Sequence, residues 1–196
     1  MRDSGELTSD MLRGKNIRLS AQDMEQAAPH YFQWSQDAEY QRLVEGDPFV
    51  PLSLKATKEV NERDWPEDDP CNIMFLIRAN EDDRIIGFAN LDYISWTHGD
   101  SYMGIGLGDK TCWGKGYGTE AMSLLLRYAF TELNLHRMSL TVFEYNERAI
   151  RMYQKCGFKV EGLNRDYHFR DGRRWDLVSM GILRDEWLEL NGYTVS

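Results

Sequence analysis

Short apolar runs recur along the chain, and polar turns separate them. Runs of this kind predict β-strands. In residues 138–143 the alternation is strict, so we expect Met138, Leu140 and Val142 to face the interior. The polar residues 80–83 predict a hairpin between the second and third strands. The predicted strands cover residues 16–19, 73–79, 84–94, 102–107 and 138–143, a segment near Val160, and residues 175–183.

Apolar positions three and four residues apart predict helices between these strands. Asp23 opens the first helix, and Pro29 should interrupt or kink it. Asn146 caps a later helix, and Gly157 ends it. The predicted helices cover residues 23–35, 118–133, 147–156 and a last turn over 184–190. The broad apolar face of the helix over 118–133 comprises Ala121, Leu124, Leu125, Tyr128, Ala129 and Leu133.

Residues 46–70 show neither period and contain several prolines, so they predict irregular structure. Their acidic group could attract a polyamine, or it could belong to an ordinary solvated loop. The group comprises Glu62, Asp64, Glu67, Asp68 and Asp69.

The order of the elements, strands first and then alternating strands and helices, predicts a mixed α/β sheet flanked by helices. With 196 residues, of which 42% are hydrophobic, the chain can form a substantial core. Neither an internal repeat nor a linker divides the sequence. We therefore expect a single domain over residues 12–190, a flexible N-terminal tail over 1–11 and a C-terminal tail over 191–196.

The net charge of −9 argues against a nucleic-acid-binding protein, which needs a basic surface, but it is compatible with cationic substrates. The cysteines are Cys71, Cys112 and Cys156. Because they are odd in number and lack metal-ligand spacing, we expect reduced thiols. The polar N-terminus and the lack of a long apolar run predict a cytoplasmic protein without a membrane segment.

The most informative segment follows the strand predicted over 102–107. Gly114, Gly116 and Gly118 alternate there, just before the long helix. Glycines let the backbone turn with positive φ and approach a ligand closely. The unpaired N–H groups of a helix N-terminus attract anions. The segment therefore predicts a site for a phosphate or pyrophosphate.

Two common phosphate-binding motifs do not match this segment. A P-loop requires Ser or Thr after its lysine, but Gly116 follows Lys115. The dinucleotide-binding motif requires its third glycine one position later than Gly118. A plain turn between strand and helix is the alternative interpretation of the loop alone.

A second motif runs from Asn146 to Phe158. Helical spacing places Asn146 and Tyr153 on one face, about 10 Å apart along the axis. A long ligand beside this helix could therefore contact both residues. The alternative is that Asn146 only caps the helix and Tyr153 only packs in the core.

Together the two motifs resemble the GNAT superfamily of acetyl-CoA-dependent N-acetyltransferases, in particular the branch of ribosomal-protein-alanine and polyamine N-acetyltransferases. The family's loop pattern, Gln/Arg-x-x-Gly-x-Gly/Ala, is matched by Gly116 and Gly118, with Trp113 in the first position. The family's motif from asparagine to tyrosine, ending in Gly-Phe, is matched over 146–158. The resemblance extends over roughly 12–190 and includes Trp34, Asp37, Glu39, Asp171, Gly172, Asp176, Met180, Gly181, Glu186 and Trp187.

The resemblance implies a GNAT fold with a mixed, mostly antiparallel sheet, and acetyl-CoA as co-substrate without a metal. The pyrophosphate would lie at the glycine loop, where Lys115 adds charge, and the pantetheine arm would pair with the main chain of residues 105–107. A backbone N–H near Leu107 would polarise the thioester carbonyl. The implied catalytic residue is Tyr153, a general acid that protonates the departing thiolate. The implied acetyl-CoA-binding residues are Ile105, Gly106, Leu107, Trp113, Gly114, Lys115, Gly116, Tyr117, Gly118, Thr119, Asn146 and Tyr153.

The implied acceptor is a primary amine: a protein N-terminus, a polyamine or another small amine. A homodimer is a further partner expectation, whereas nucleic acid and membrane partners are not expected. The alternative function is a non-catalytic acyl-CoA-binding or sensor module on the same fold.

The general base stays open at this point. Related enzymes often have a glutamate at the positions of Tyr102 or Thr141, and neither of these side chains is a base at neutral pH. Another carboxylate could serve directly or through a water, or the amine could be deprotonated before it binds. The candidate carboxylates are Glu144, Asp92, Asp100 and Glu39.

Overall fold

The structure is a computed structural model that describes residues 11–66 and 69–193. Most of the predicted N-terminal tail, the last residues of the predicted C-terminal tail, and the acidic residues Glu67 and Asp68 lie outside the described residues. The predicted domain boundaries and tails therefore stay predictions.

The strands of the described ranges form one seven-stranded sheet. They are β1 (Ile17–Ala21), β2 (Ile73–Ala79), β3 (Ile85–Ser95), β4 (Asp100–Leu107), β5 (Arg137–Phe143), β6 (Lys159–Arg170) and β7 (Arg173–Leu183). Their order in the sheet is β1-β2-β3-β4-β5-β7-β6, and neighbouring strands are antiparallel except for the parallel pair β4 and β5. This mixed, mostly antiparallel sheet confirms the predicted fold class.

Helices pack on both faces of the sheet. They are α1 (Met24–Ser35), α2 (Ala38–Val44), α3 (Leu54–Asp64), α4 (Tyr117–Arg127), α5 (Glu147–Lys155) and α6 (Arg184–Leu190). A π-helical turn over Tyr128–Glu132 continues α4, so the predicted helix over 118–133 changes its hydrogen bonding after Arg127.

The sheet has a hydrophobic cluster on each face. The larger cluster packs α4 and α5 against the sheet through residues such as Leu125, Tyr153 and Ile77. The smaller one packs α1 and α2 against the other face and includes Trp34 and Leu76. Because consecutive strand residues point to opposite faces, the continuous apolar run of β2 is explained by burial on both sides.

The prediction of irregular structure over 46–70 was wrong for α3. Ser53 caps this helix by accepting a hydrogen bond from the N–H of Ala56, and α3 packs against α1. The prolines of the segment precede the cap or follow the helix, so they bound it rather than break it. Its apolar periodicity is weak because Thr57 is its buried residue. Helix α2, capped by Asp37, was also not predicted.

Of the two outcomes predicted for Pro29, an interruption of the first helix was wrong, since α1 runs unbroken from Met24 to Ser35, and a kink stays a prediction. Proline removes the hydrogen bond to the carbonyl four residues earlier, which belongs to Glu25. Glu25 and Pro29 are both exposed, so water can hydrate that carbonyl. The predicted opening of the helix at Asp23 is confirmed by its hydrogen bonds from the first turn.

The last strands are longer than predicted and form a hairpin. Arg170 pairs with Arg173 across the turn formed by Asp171 and Gly172. These two residues have φ values of 55° and 76°, as a type I′ turn requires.

Candidate active site

The two central strands β4 and β5 separate and open a cleft between them. Residues 100–102 of β4 pair with residues 137–139 of β5, whereas 103–107 pair with β3 alone in the described sheet. An antiparallel partner uses only alternate main-chain groups, so the other groups of 103–107 face the gap. The cleft has a volume of about 1000 Å³. It therefore offers a strand edge with which an extended ligand can pair.

The glycine loop lies beyond the end of β4 and leads into α4. Gly114 and Gly116 have φ values of 73° and 88°. A Cβ at either position would meet nothing within 4 Å among the described residues, so backbone conformation rather than packing requires glycine there. Gly116 is the N-cap of α4 and has no side chain to pair with the first N–H groups. This geometry suits an anion. Gly118 differs, because it lies inside the first helical turn.

Trp113 connects the end of β4 to α5. Its indole Nε1 donates a hydrogen bond of 2.7 Å to the carbonyl of Leu107. The guanidinium carbon of Arg148 lies 3.8 Å from the centroid of the indole ring, in a cation–π contact. Burial lowers the pKa of Arg148, but a guanidinium keeps its charge at neutral pH. The contact thus holds a positive charge in the cleft wall.

Helix α5 provides the cations of this end of the cleft. Arg148, Arg151 and Lys155 all line it. They are three and four positions apart and so share one helix face. Arg151 is also paired with Glu147 at 2.9 Å. The sequence prediction did not include these residues, although their spacing could have indicated them.

Tyr153 lines the cleft from the same helix. It is 7% exposed and packs edge-on against Phe158, with ring centroids 5.9 Å apart. Burial raises the pKa of its phenol well above the usual range, so the hydroxyl stays protonated. A protonated phenol beside the cleft can act as a proton donor.

Asn146 caps α5, as the alternative interpretation of the second motif predicts. Its Oδ1 accepts a hydrogen bond of 3.2 Å from the N–H of Ala149, and its Nδ2 donates to the carbonyl of Leu43 at 3.4 Å. These bonds fix the start of α5 and connect it to α2. Asn146 also lines the cleft, so the capping role and contact with a ligand are compatible.

The predicted acetyl-CoA-binding residues line the cleft, except for Lys115 and Tyr117. Lys115 is exposed outside the lining, and Tyr117 packs against the larger core cluster. Positive charge inside the cleft lining comes from α5. The binding roles of all these residues stay predictions.

The other end of the cleft is acidic. Asp92 lines it opposite Tyr102 near the start of β4, and Asp64 and Glu45 line it from the ends of α3 and α2. Gly46, which follows Glu45, lies near Phe143 at the end of β5. Partial burial in the cleft wall raises the pKa of Glu45, and the nearby Asp47 and Asp64 raise it further. Asp64 is also paired with Arg63 at 2.7 Å. At about 3.3 Å per strand residue, the length of β4 beyond Tyr102 separates Asp92 from the glycine loop.

Of the four candidate bases, only Asp92 lines the cleft. Glu39 is paired with Lys110 at 2.7 Å. Glu144 accepts a hydrogen bond of 3.1 Å from the main chain of Asp176. Asp100 lies outside the cleft lining at the beginning of β4.

Tyr102 and Thr141, which occupy positions often held by glutamate in related enzymes, both line the cleft. Among the residues that the structure covers, no group of three or more His, Cys, Asp or Glu could hold a metal ion. Within the same ranges, no helix is both long and apolar enough to cross a membrane.

Comparisons with known proteins agree with this geometry. The acetyltransferase (GNAT) domain model matches residues 18–159. The uncharacterized N-acetyltransferase p20 of Bacillus licheniformis is 30% identical over 178 residues, covering 91% of this chain and 98% of the relative. Human alpha/beta-tubulin-N-acetyltransferase 9 is 30% identical over 161 residues, covering 76% of this chain and 75% of the relative.

A third relative is spermidine N(1)-acetyltransferase of Vibrio cholerae, 34% identical over 105 residues, or 54% of this chain and 60% of the relative. The crystal structure of spermidine N-acetyltransferase from Vibrio cholerae in complex with CoA and spermine has a similar fold. Its TM-score is 0.77 at 24% identity, covering 88% of this chain and 98% of that one.

The sheet, the cleft and these matches together define an acyl-CoA acyltransferase of the GNAT type. The chain belongs to the GNAT acetyltransferase family. The predictions of this family and of an N-acetyltransferase enzyme are thereby confirmed.

Proposed function

We propose that the protein transfers the acetyl group of acetyl-CoA to a primary amine of a small cationic acceptor of the polyamine class. The observation that carries this proposal is the opposite charge at the two ends of one cleft. The N-terminus of α4 and the side chain of Arg148 suit a pyrophosphate. Glu45 and Asp92 suit an ammonium group. Anionic donor and cationic acceptor can thus occupy the cleft together.

The relatives support the same acceptor class. The Vibrio cholerae relative is named for spermidine, and the similar crystal structure contains CoA and spermine. The human relative is named for tubulin, so a protein acceptor is the second candidate. The carboxylates at the acceptor end favour the polyamine.

In the proposed reaction the pantetheine arm lies along residues 105–107 and brings the thioester to the gap between β4 and β5. A neutral amine attacks the carbonyl carbon, so that a C–N bond forms and the C–S bond breaks. A backbone N–H near Leu107 polarises the carbonyl oxygen, and the phenol of Tyr153 protonates the CoA thiolate. The attack takes place in a ternary complex and needs no covalent acetyl-enzyme.

A panel assay of free thiol release from acetyl-CoA tests this proposal. The panel contains spermidine, spermine, a primary amine with no second charge, and peptides with free N-termini. We expect the highest kcat/KM for the polyamines. A higher kcat/KM for the peptides than for the polyamines would instead indicate a protein acceptor. Tight acetyl-CoA binding without turnover of any amine would support the non-catalytic acyl-CoA-binding module.

A further inference from the structure

Three buried oxygen atoms in the wall of the cleft have no hydrogen-bond partner in the described part of the chain. They are Oη of Tyr40, Oδ1 of Asn90 and Oδ1 of Asp92. Tyr40 and Asn90 are each 4% exposed. Buried polar atoms are normally paired within the protein or with water. Three unpaired oxygens on one cleft wall therefore indicate a ligand that brings hydrogen-bond donors.

Two of the oxygens lie directly over glycines of β4. A Cβ on Gly106 would lie 2.5 Å from Oη of Tyr40, and a Cβ on Gly104 would lie 2.6 Å from Oδ1 of Asn90. Any larger residue at these positions would displace the oxygens. The two glycines thus keep this wall open.

Asp92 continues the same row. In the register of β3 and β4, Asn90 pairs with Gly104, and Asp92 pairs with Tyr102. Directly paired residues share one face of the sheet, and positions two apart are roughly 7 Å apart along a strand. The row therefore ends at Tyr102, where the pairing of β4 with β5 stops.

The chemistry of the row fits an ammonium group. Nδ2 of Asn90 donates to Oδ2 of Asp92, which leaves Oδ1 of each side chain as a free acceptor. The indole of Trp65 also interacts with this carboxylate and lowers its pKa, but Oδ1 of Asp92 has no partner within hydrogen-bond geometry in the described residues. The carboxylate of Asp92 and Oδ1 of Asn90 match the N–H donors and the positive charge of a primary ammonium. Oη of Tyr40, one step further along the row, matches a second donor group of the same amine.

We propose that Tyr40, Asn90 and Asp92 form the amine subsite, and that Asp92 accepts the proton which the ammonium must lose before it attacks. This inference rests on the proposed N-acetyl transfer and names the residues that hold its acceptor. Asp92 stands opposite Tyr102, so a carboxylate of the neighbouring strand replaces the glutamate that related enzymes often have at that position.

The protons balance in this step. The ammonium gives one proton to Oδ1 of Asp92, and the neutral amine then forms the C–N bond as the C–S bond breaks. The thiolate takes the proton of the Tyr153 phenol, which regains one from the new amide nitrogen. The proton on Asp92 passes to solvent. An ammonium and acetyl-CoA thus yield an acetamide, CoA and one proton.

The surroundings of Asp92 favour this role. Burial raises the pKa of its carboxyl, an effect that hydrogen bonds from Asn90 and Trp65 reduce. A raised pKa lies closer to the pKa that an effective general base needs near neutral pH. The charged or titratable groups of the surrounding cleft wall are Tyr40 and Glu45 from α2 and its end, Asp64 from α3, Tyr93 from β3 and Tyr102 from β4.

Two substitutions separate the binding and proton-transfer roles. Asp92→Asn keeps the shape and removes the base, so we expect kcat with spermidine to fall roughly 10²- to 10⁴-fold. The fall of kcat/KM towards acid pH, caused by protonation of Asp92 in the parent, should also disappear. Tyr40→Phe removes a single oxygen and should raise KM for spermidine about 10- to 100-fold.

Stability and a matched control distinguish these roles from structural ones. Oη of Tyr40 has no partner in the described protein. Tyr40→Phe should therefore keep or raise the melting temperature although it weakens binding of the amine. Asp100→Asn is the control: Oδ1 of Asp100 is likewise buried without a partner in the described ranges, but the residue lies outside the cleft. This variant should keep the parent's kcat/KM.

An unchanged kcat and pH profile in Asp92→Asn, or an unchanged KM in Tyr40→Phe, would overturn the inference. If the parent acetylates another amine but not spermidine, the polyamine proposal fails, and the same losses measured with that amine support the subsite. If no amine is turned over, calorimetry of spermidine with the CoA-loaded protein decides. Binding that Tyr40→Phe weakens supports the subsite, and lack of binding overturns it.

Discussion

The two ends of the cleft are built from different parts of the protein. The donor end is made largely by the main chain, with the gap-facing edge of β4, the glycine loop and the first N–H groups of α4. The acceptor end is made by side chains from α2, α3 and β3, and several of their oxygens have no hydrogen-bond partner in the part of the chain that the structure describes. A main-chain site is difficult to alter by substitution, whereas a side-chain site changes with each residue.

This difference separates two tasks. In the proposed function the donor end binds groups that every acyl-CoA contains, and a site fixed by backbone geometry is sufficient for them. In the same proposal the acceptor end selects the amine, because its charge and oxygens can be replaced without disturbing the loop. We therefore expect substitutions at either end to affect one substrate and to spare the other.

The largest effect is expected at Tyr153, which lines the cleft from α5. Tyr153→Phe keeps the ring and removes only the hydroxyl, so kcat should fall roughly 10²- to 10⁴-fold. The dissociation constant of acetyl-CoA and the melting temperature should change little, since the hydroxyl acts mainly in the transition state. Steady-state kinetics and calorimetry measure both. A kcat within threefold of the parent, with chemistry rate-limiting, would leave Tyr153 as a wall of the cleft.

The donor end is expected to depend on Arg148. Arg148→Met retains an aliphatic contact with Trp113 and removes the charge, so the dissociation constant of acetyl-CoA should rise about tenfold. KM for spermidine should stay within twofold. Arg151→Met is the comparison variant, with a smaller expected effect because Arg151 is exposed and paired with Glu147. Equal losses for donor and acceptor in Arg148→Met would show that the ends are not independent.

The acceptor end is expected to depend on the charge of Glu45. Because its side chain is accessible to solvent, Glu45→Gln should raise KM for spermidine only about three- to fivefold, and added salt should remove the difference. The raised pKa gives a pH test. As the pH falls, Glu45 is protonated earlier than an ordinary glutamate, so spermidine binding should weaken sooner in the parent than in Glu45→Gln. Identical pH profiles would rule out this role.

The smallest expected effect concerns the stability of the glycine loop. Gly116 requires positive φ, so Gly116→Ala should lower the free energy of unfolding by about 1 kcal/mol. Gly118 lies in the helix, where a Cβ would meet only ordinary contacts with Leu107 and Met152. Gly118→Ala should therefore leave stability unchanged or slightly higher. Denaturant unfolding compares the two variants, and an equal loss in both would contradict the backbone argument.

Acetyl-CoA titrations of the same glycine variants test the loop's predicted role. Larger residues at Gly116 or Gly118 should weaken binding by keeping the pyrophosphate from the backbone. Unchanged affinity in a folded variant would refute the assignment of the loop.

The position of most predicted donor residues around the cleft could be inferred from the sequence because the signals are local. Alternating glycines before a helix predict an uncapped helix N-terminus, and the spacing of Asn146 and Tyr153 places both on one helix face. Their binding roles stay predictions. The alternation of apolar residues likewise predicted most strands, including the buried positions of β5.

The acceptor end was not predictable, because it depends on how distant segments meet. That Tyr40 reaches Gly106, or that Asp92 stands opposite Tyr102, follows from strand register and helix packing rather than from any local motif. Helix α3, which ends at Asp64, was not predicted for a related reason. It buries little apolar surface, so its sequence shows only a weak apolar periodicity.

One measurement tests most directly whether the oppositely charged ends of the cleft bind both substrates at once. In a conjugate of CoA and spermidine joined through the CoA sulfur and a terminal amine, binding of the second group becomes intramolecular. Calorimetry should show that the parent protein binds this conjugate at least about 100-fold more tightly than CoA alone. An affinity equal to that of CoA would contradict the account, since it would mean that the acidic end does not bind the acceptor.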